Sequence, residues 1–196
     1  MAVAFMMDFP GGSVEDYDWV VDRMQLNGRL PAGALFHAAG HGADGLRVCD
    51  VWESAEVFKQ FADTKIGPLS AERGMTPPKI RSFDVEEIRR GDGGRVEFVQ
   101  IVFIPGVADH AAFVELDRQI VGADRHAPDD CVFHVNGTVG DGYCVLDYWS
   151  SKATRDRFIE QQVQPVFQQA GLAPPTIEEM IVHNALTEPA AQHVGG

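Results

Sequence analysis

The chain has 196 residues, of which 45% are hydrophobic and 23% are charged, and its formal net charge is −13. These proportions are ordinary for a soluble globular protein and provide enough apolar material for one large core or two small ones. The negative charge argues against a surface that binds a nucleic acid backbone or an anionic membrane, because both require clustered Lys and Arg side chains. No signal peptide and no apolar run of the roughly 20 residues that span a bilayer occur, so we predict a cytoplasmic protein.

The first half of the chain alternates strand and helix signals. An apolar run over 3–9 that ends at Pro10-Gly11-Gly12 predicts a strand, and Ser13 with Asp16 three positions later predicts a capped helix. The remaining predicted elements of this half are a strand over 33–39, a strand over 46–52, a helix from Ser54 to Gly74 that Pro68 bends, and a strand over 79–88. The order is therefore strand, helix, strand, strand, helix, strand.

The same order then starts again after the glycine-rich linker at 91–94. From residue 34 to residue 87, each position finds its partner 97 positions later without a gap. Identical partners include Phe36 and Phe133, His37 and His134, Gly40 and Gly137, Asp50 and Asp147, Trp52 and Trp149, and Pro68 and Pro165. We interpret the chain as an internal duplication with repeat 1 in 1–90, repeat 2 in 95–186 and a disordered tail in 187–196.

Each repeat has the βαββαβ order of a ferredoxin-like unit, which places an antiparallel sheet under two helices. The predicted fold class is α+β, and the uncovered faces of the two sheets are expected to pack against each other in one chain. The result is an intrachain pseudo-dimeric α/β barrel with its helices outside. Its interior is the natural place for a ligand.

The run Val51-Trp52-Glu53-Ser54, with Phe58 and Phe61 after it, resembles the antibiotic-biosynthesis-monooxygenase-like branch of the dimeric α/β-barrel superfamily. Members of this superfamily are usually single ferredoxin-like units that dimerise, so the resemblance implies a tandem fusion that is a monomer with an internal pseudo-dimer. Further pairing through exposed strand edges stays open. The superfamily includes quinone-forming monooxygenases, haem-degrading enzymes, dye-type peroxidases and decarboxylases, so the resemblance indicates the fold better than the activity.

The candidate site lies on the hairpin that both repeats share. Strand alternation places Asp50 and Trp52 on one face of the third strand, and the resemblance implies that this Trp faces the barrel interior. The same alternation points His37 inward, within reach of Asp50. We therefore predict two buried pairs inside the barrel, namely His37 with Asp50 and its counterpart His134 with Asp147.

An Asp-oriented imidazole suits a general base that removes a proton from an acidic phenol or hydroxyquinone before oxygen reacts with the ring. His37, Asp50, His134 and Asp147 are thus candidate catalytic residues. The alternative is that each pair satisfies two buried polar groups and fixes the register of its hairpin. Trp52, Trp149, Tyr143 and Asn136 are candidate substrate-binding residues, with core filling as the alternative for the aromatic side chains.

No metal and no cofactor are predicted. Cys49, Cys131 and Cys144 form no C-x-x-C pair and are expected to be buried free thiols, and the histidines lack the spacing of a metal site. The haem-degrading branch has an iron-binding His one helical stretch after the Trp, where this chain has Ala62 and Ile159. The resemblance therefore does not extend to haem degradation.

Three functions stay open. The favoured one is a small-molecule-binding barrel that acts as a cofactor-independent monooxygenase on an aromatic or polyketide-like substrate. The second is a non-catalytic ligand-binding or stress-associated barrel, and the third is a structural domain whose barrel is filled by its own side chains. The expected partner is a small aromatic ligand rather than a nucleic acid or a membrane. The presence and position of a cavity distinguish these functions.

Overall fold

The structure is a computed structural model and describes residues 1–187. The first half contains β1 (Val3–Pro10), α1 (Val14–Met24), β2 (Ala34–Gly42), β3 (Gly45–Trp52), α2 (Ala55–Phe61), a π-helical turn (Ala62–Ile66), α3 (Gly67–Arg73), β4 (Lys79–Asp84) and β5 (Glu87–Arg90). The second half contains β6 (Phe98–Pro105), α4 (His110–Val121), β7 (Cys131–Val139), β8 (Gly142–Trp149), α5 (Lys152–Phe158), a π-helical turn (Ile159–Val163), α6 (Gln164–Ala170) and β9 (Thr176–Thr187). We refer to β1–β5 with their helices as unit 1 and to β6–β9 with theirs as unit 2.

Local chemistry explains where the helices begin and bend. Ser13 and Asp16 form the predicted capping box at the start of α1, with each side chain bonded to the other residue's backbone N–H. Pro68 lies in the first turn of α3, directly after a π-helical turn, and Pro165 has the same position in unit 2. Because proline has no backbone N–H to donate, the predicted bend takes the form of this wider turn.

The nine strands form one antiparallel sheet in the order β4-β1-β3-β2-β9-β6-β8-β7-β5. β4 and β5, at the two ends of this order, are consecutive in the chain, so the sheet closes into a barrel. In each unit the final stretch of strand pairs first with a strand of its own unit and then with a strand of the other unit. In unit 1 this stretch is β4 followed by β5, and in unit 2 it is β9. β4 pairs with β1 and β5 with β7, while β9 pairs first with β6 and then with β2.

Side chains of both units fill the barrel interior. Phe36 stacks on Phe133 with 4.6 Å between ring centroids, and Tyr148 lies against both rings. The Tyr148 hydroxyl donates a hydrogen bond to the backbone oxygen of Cys49 at 3.3 Å. Seventeen buried residues make up this inner cluster, which leaves the centre of the barrel occupied by packed side chains.

The predicted orientation of the shared hairpin is wrong. Trp52 lies on the outer face of the sheet, where it packs against Phe58 and Phe61 of α2, and His37 and Asp50 share that face. His134 and Asp147 likewise lie beneath the helices of unit 2. The grouping by strand alternation was correct, but the face was not. The reason is that both faces of this sheet are buried, one inside the barrel and one under the helices. An apolar side chain is compatible with either face, so the apolar pattern does not reveal which face is inside.

The fold is α+β, with two ferredoxin-like βαββαβ units joined in one barrel, as predicted. Thr187 ends β9, and the rest of the tail predicted for 187–196 lies outside the described residues. Within residues 1–187, no helix combines the length and the apolar character needed to cross a membrane. Cys49, Cys131 and Cys144 are buried free thiols.

Candidate functional site

Each unit carries a row of four side chains across the outer face of its sheet, at the level of the His–Asp pair. In unit 2 the strand register aligns Gln100, Asp147, His134 and Arg89 in that order. In unit 1 the corresponding row is Phe5, Asp50, His37 and Leu186. Arg89 comes from the last strand of unit 1, and Leu186 comes from the last strand of unit 2. Each site is therefore built from both halves of the chain.

In unit 1 the His–Asp pair is part of a longer hydrogen-bonded chain. His37 Nδ1 lies 2.7 Å from Asp50 Oδ1, and His37 Nε2 lies 2.8 Å from the hydroxyl oxygen of Tyr17. The same hydroxyl accepts a hydrogen bond from Asn184 Nδ2 at 2.7 Å, and Trp52 Nε1 donates to Asp50 Oδ2 at 3.3 Å. Asn184 fills one acceptor position of Tyr17, so the phenol proton points to His37 and the imidazole proton points to Asp50.

Burial raises the pKa of Tyr17 to about 12, so the phenol keeps its proton at neutral pH. The hydroxyl then donates to His37 Nε2, and the Asp50 carboxylate fixes the imidazole tautomer through Nδ1. This arrangement can accept a proton from a substrate at the Tyr17 oxygen while the phenol proton passes to His37. We refer to Tyr17, His37 and Asp50 as the relay.

In unit 2 the pair has different surroundings. His134 Nδ1 lies 2.6 Å from Asp147 Oδ1, as predicted for the pair. However, His134 Nε2 lies 2.8 Å from both Arg89 Nη2 and Asn136 Nδ2, which are nitrogens that can only donate. Phe113 stacks beside His134 where Tyr17 stacks beside His37, so this position provides no hydroxyl. The acceptor nitrogen of His134 is occupied, and the unit 2 pair lacks the proton path of the relay.

A cavity lies between the sheet and the helices in each unit. The unit 1 cavity measures about 140 Å³, and Tyr17, His37, Asp50, Trp52 and Asn184 are part of its otherwise largely apolar wall. A cavity of this size holds one benzene ring. The unit 2 cavity measures about 520 Å³, which is within the range of sites for larger organic ligands.

Two positions between sheet and helices differ between the units. In unit 1, Phe5 and Phe58 stack with 4.0 Å between their ring centroids and fill the space between sheet and helix. The corresponding positions in unit 2 are Gln100 and Arg155, and Arg155 turns to Glu179. The aromatic stack is therefore missing from unit 2, and its cavity is wider.

The predicted substrate-binding residues separate into two groups. Trp52 lies in the wall of the unit 1 cavity. Trp149, Tyr143 and Asn136 lie outside the wall of the unit 2 cavity. Trp149 packs against Phe158, while the Tyr143 hydroxyl donates within a cluster that contains Glu86 and Asn136. Burial and the Glu86 carboxylate raise the pKa of Tyr143, so its hydroxyl stays a donor.

Four residues of the sites were missed from sequence, namely Tyr17, Asn184, Arg89 and Gln100. Tyr17 lies at helical spacing from the apolar residues Val20 and Val21 of α1, and a buried Tyr hydroxyl usually has a polar partner. Gln100 and Asn184 are polar residues in mainly apolar stretches of strand, which was a detectable signal. Arg89 lies in a charged segment, where the sequence gives no such signal. Within the described part of the chain, no group of three or more His, Cys, Asp or Glu side chains is placed to hold a metal ion.

Solved structures share this fold, an α/β barrel built from two ferredoxin-like units. A candidate monooxygenase from Lactobacillus acidophilus NCFM is 12% identical with a TM-score of 0.67, and the match covers 96% of this chain and 97% of that one. A candidate monooxygenase from Fusobacterium nucleatum subsp. nucleatum is 11% identical with a TM-score of 0.72, and the match covers 96% and 95%. An anthrone oxidase-like protein is 14% identical with a TM-score of 0.51, and the match covers 96% of both chains.

No protein-family model and no curated protein matches the chain. At the low identities of the solved structures, the likeness shows the fold alone. An activity has to be argued from the two cavities and the groups in their walls.

Proposed function

We propose that the protein is a cofactor-independent monooxygenase that acts on a small aromatic substrate with an acidic hydroxyl group, bound in the unit 1 cavity. The observation that carries this proposal is the relay of Tyr17, His37 and Asp50 in the wall of an apolar cavity the size of one aromatic ring. A general base beside an apolar ring site is what such oxygenation requires, because the ring must become electron-rich before oxygen attacks it.

The proton path has two steps. The substrate hydroxyl gives its proton to the Tyr17 oxygen, which has one acceptor position left beside the bond from Asn184. The original phenol proton passes over 2.8 Å to His37 Nε2, and Asp50 stabilises the imidazolium that forms. Trp52 lies in the same wall, where it can stack on the substrate ring.

The oxidation is balanced without a cofactor. The substrate anion gives electrons to O2, and one oxygen atom bonds to a ring carbon to form a hydroperoxide. The O–O bond then breaks as the ring C–H is lost, and the second oxygen leaves as water with the returned proton. A phenol and O2 thereby yield a quinone and water, with the substrate as the only reductant.

Oxygen uptake tests the proposal. A panel of single-ring phenols and hydroquinones, with anthrols as larger members, is offered to the parent protein and to His37→Ala and His134→Ala. We expect uptake above the enzyme-free background with single-ring substrates, a loss of about 100-fold or more for His37→Ala, and a rate within a few-fold of the parent for His134→Ala. Equal rates for the parent and His37→Ala, or no uptake with any substrate, contradict the proposal.

Non-catalytic ligand binding is a second candidate, and one observation favours it for unit 2. The larger cavity lies beside a His–Asp pair whose acceptor nitrogen is already bonded to Arg89 and Asn136. A purely structural role agrees with the filled barrel but gives no reason for two cavities outside it. The predicted monomeric state and cytoplasmic location stay predictions.

A further inference from the structure

We infer that the unit 2 cavity is a binding site for a primary ammonium group carried by an apolar body of about two fused rings. This site is separate from the relay, and the inference does not depend on the proposed oxygenation. It rests on unpaired acceptors in the cavity wall, on the local balance of charge and on the size of the cavity.

The acceptors come from neighbouring strands. Gln100 is 4% exposed and lines the cavity, and its Oε1 has no hydrogen-bond partner. Asp147 is directly opposite Gln100 in the sheet, so their Cβ atoms are about 5 Å apart. Asp147 uses Oδ1 to accept from His134, and within residues 1–187 no side chain donates to its Oδ2. In unit 1 the equivalent oxygen of Asp50 accepts from Trp52. A buried acceptor without a partner, here Gln100 Oε1, costs free energy, so this part of the wall favours a ligand that donates hydrogen bonds. Arg89 Nε is a buried donor of the same wall without a hydrogen bond, but it lies 3.7 Å from Glu87 Oε1 and is attracted to that carboxylate.

The charges around the row favour a cation over a neutral donor. Arg125 Nη2 lies 2.5 Å from Glu87, and Arg125 Nε lies 2.7 Å from Asp117. Arg89 Nη2 lies 3.0 Å from the same Asp117 carboxylate. Two guanidinium groups thus face two carboxylates, while Asp147 is paired with an imidazole whose Nε2 acts as an acceptor. The excess is one negative charge at Asp147, which an ammonium group would balance.

The rest of the wall fits an apolar body. Val102, Val145, Phe167 and Leu172 line the cavity on the sheet and helix sides. A volume of about 520 Å³ admits a two-ring body, whereas the unit 1 cavity of about 140 Å³ admits one ring. Body size therefore separates ligands of this site from substrates of the relay.

Calorimetric titration of the full chain at neutral pH tests the inference with three probes that share a naphthalene body. The probes are 1-naphthylmethylamine, 1-naphthalenemethanol and 1-naphthoic acid, which present an ammonium, a hydroxyl and a carboxylate. We expect the amine to bind about tenfold or more tightly than the alcohol and the acid to bind weakest. An alcohol or acid that binds as tightly as the amine, or no amine binding, overturns the inference.

Matched variants locate the site. Val145→Phe narrows the unit 2 cavity and should weaken amine binding about tenfold or more, whereas Val48→Phe, at the corresponding position of the unit 1 cavity, should bind the amine as the parent does. Gln100→Leu keeps the size of the side chain, removes the acceptor and should weaken binding several-fold. Equal effects of Val145→Phe and Val48→Phe on amine binding in folded proteins would contradict the location.

Discussion

The two units keep the same His–Asp pair but surround it with residues of different chemistry. The sequence repeat was sufficient to predict both pairs, because identical residues at a constant spacing on adjoining strands must meet in the same way. It did not predict that Tyr17 completes the pair in unit 1 and Arg89 in unit 2. Both residues lie outside the shared hairpin. Tyr17 is on helix α1, and Arg89 reaches the unit 2 pair from strand β5 of unit 1. Strand alternation within one hairpin makes no prediction about such residues.

Replacing Tyr17 with Phe tests the relay at a single atom. The variant removes the hydroxyl that joins His37 to the cavity and gives unit 1 the side chain that unit 2 has naturally at Phe113. We expect kcat for oxygen uptake to fall about 10-fold or more, with a smaller change in KM, because the ring still packs. The free energy of unfolding should fall by about 1–2 kcal/mol, since Asn184 and His37 each lose a hydrogen-bond partner.

Asn184→Leu is the companion to this variant. It keeps the phenol but removes the donor that directs its proton, so the rate should fall less than in Tyr17→Phe. A Tyr17→Phe protein that is folded, by its circular dichroism, and as active as the parent would exclude Tyr17 from the proton path.

The crossing of the terminal strands is the main feature that the individual elements do not reveal. Both β4–β5 and β9 begin in one unit and end beside the His of the other. The sequence indicated one strand over 79–88 but not its partners. It also did not reveal which sheet face is inside, because Phe36 and Trp52, on opposite faces, are both large and apolar. A polar outer face would have settled the orientation, but helices cover that face here.

The identical glycines Gly40 and Gly137 mark the points where these strands cross. A Cβ atom at Gly40 would lie 2.0 Å from the backbone oxygen of Ile181, and one at Gly137 would lie 2.1 Å from that of Asp84. The obstacle is backbone in both cases, so it cannot be relieved by a side-chain rotation. We expect Gly40→Ala and Gly137→Ala each to lower the free energy of unfolding by more than about 2 kcal/mol in urea denaturation.

Gly94→Ala is the control for both glycine variants. Nothing lies within 4 Å of a Cβ atom at Gly94, and this residue belongs to the segment between the units. Its stability should stay within about 0.5 kcal/mol of the parent. If Gly40→Ala is as stable as Gly94→Ala, the strands do not approach as closely as described.

At the scale of the whole molecule, the barrel and the two helical layers bury both faces of one closed sheet. The constant spacing between the repeats predicted this arrangement well, since two ferredoxin-like units have few ways to cover their open sheet faces. The position of the cavities could not be predicted in the same way. It depends on which of the two buried faces is packed completely, and here Phe36, Phe133 and Tyr148 fill the inner one.

This double burial encloses all three tyrosines and all three cysteines of the chain. Burial raises the pKa of Tyr17 and of Cys144 to about 12, and it raises the pKa of Tyr148, Cys49 and Cys131 as well. The folded protein therefore keeps protons that the unfolded chain releases, from about pH 8.5 for thiols and about pH 10 for phenols. The stability from these groups is complete below those values and is lost as the pH rises towards the folded pKa values.

We expect the unfolding midpoint in urea to decrease steeply above about pH 9, with each group contributing at most about 1.4 kcal/mol per pH unit. Phenolate absorbance should stay absent while the protein is folded and then appear for all three tyrosines in the same transition that removes the circular dichroism signal. The urea-unfolded chain is the reference and should titrate near pH 10. Phenolate that forms gradually near this pH in a protein that is still folded would show that the tyrosines are accessible to water, and would contradict the packing of Tyr148 inside the barrel and of Tyr17 under the helices.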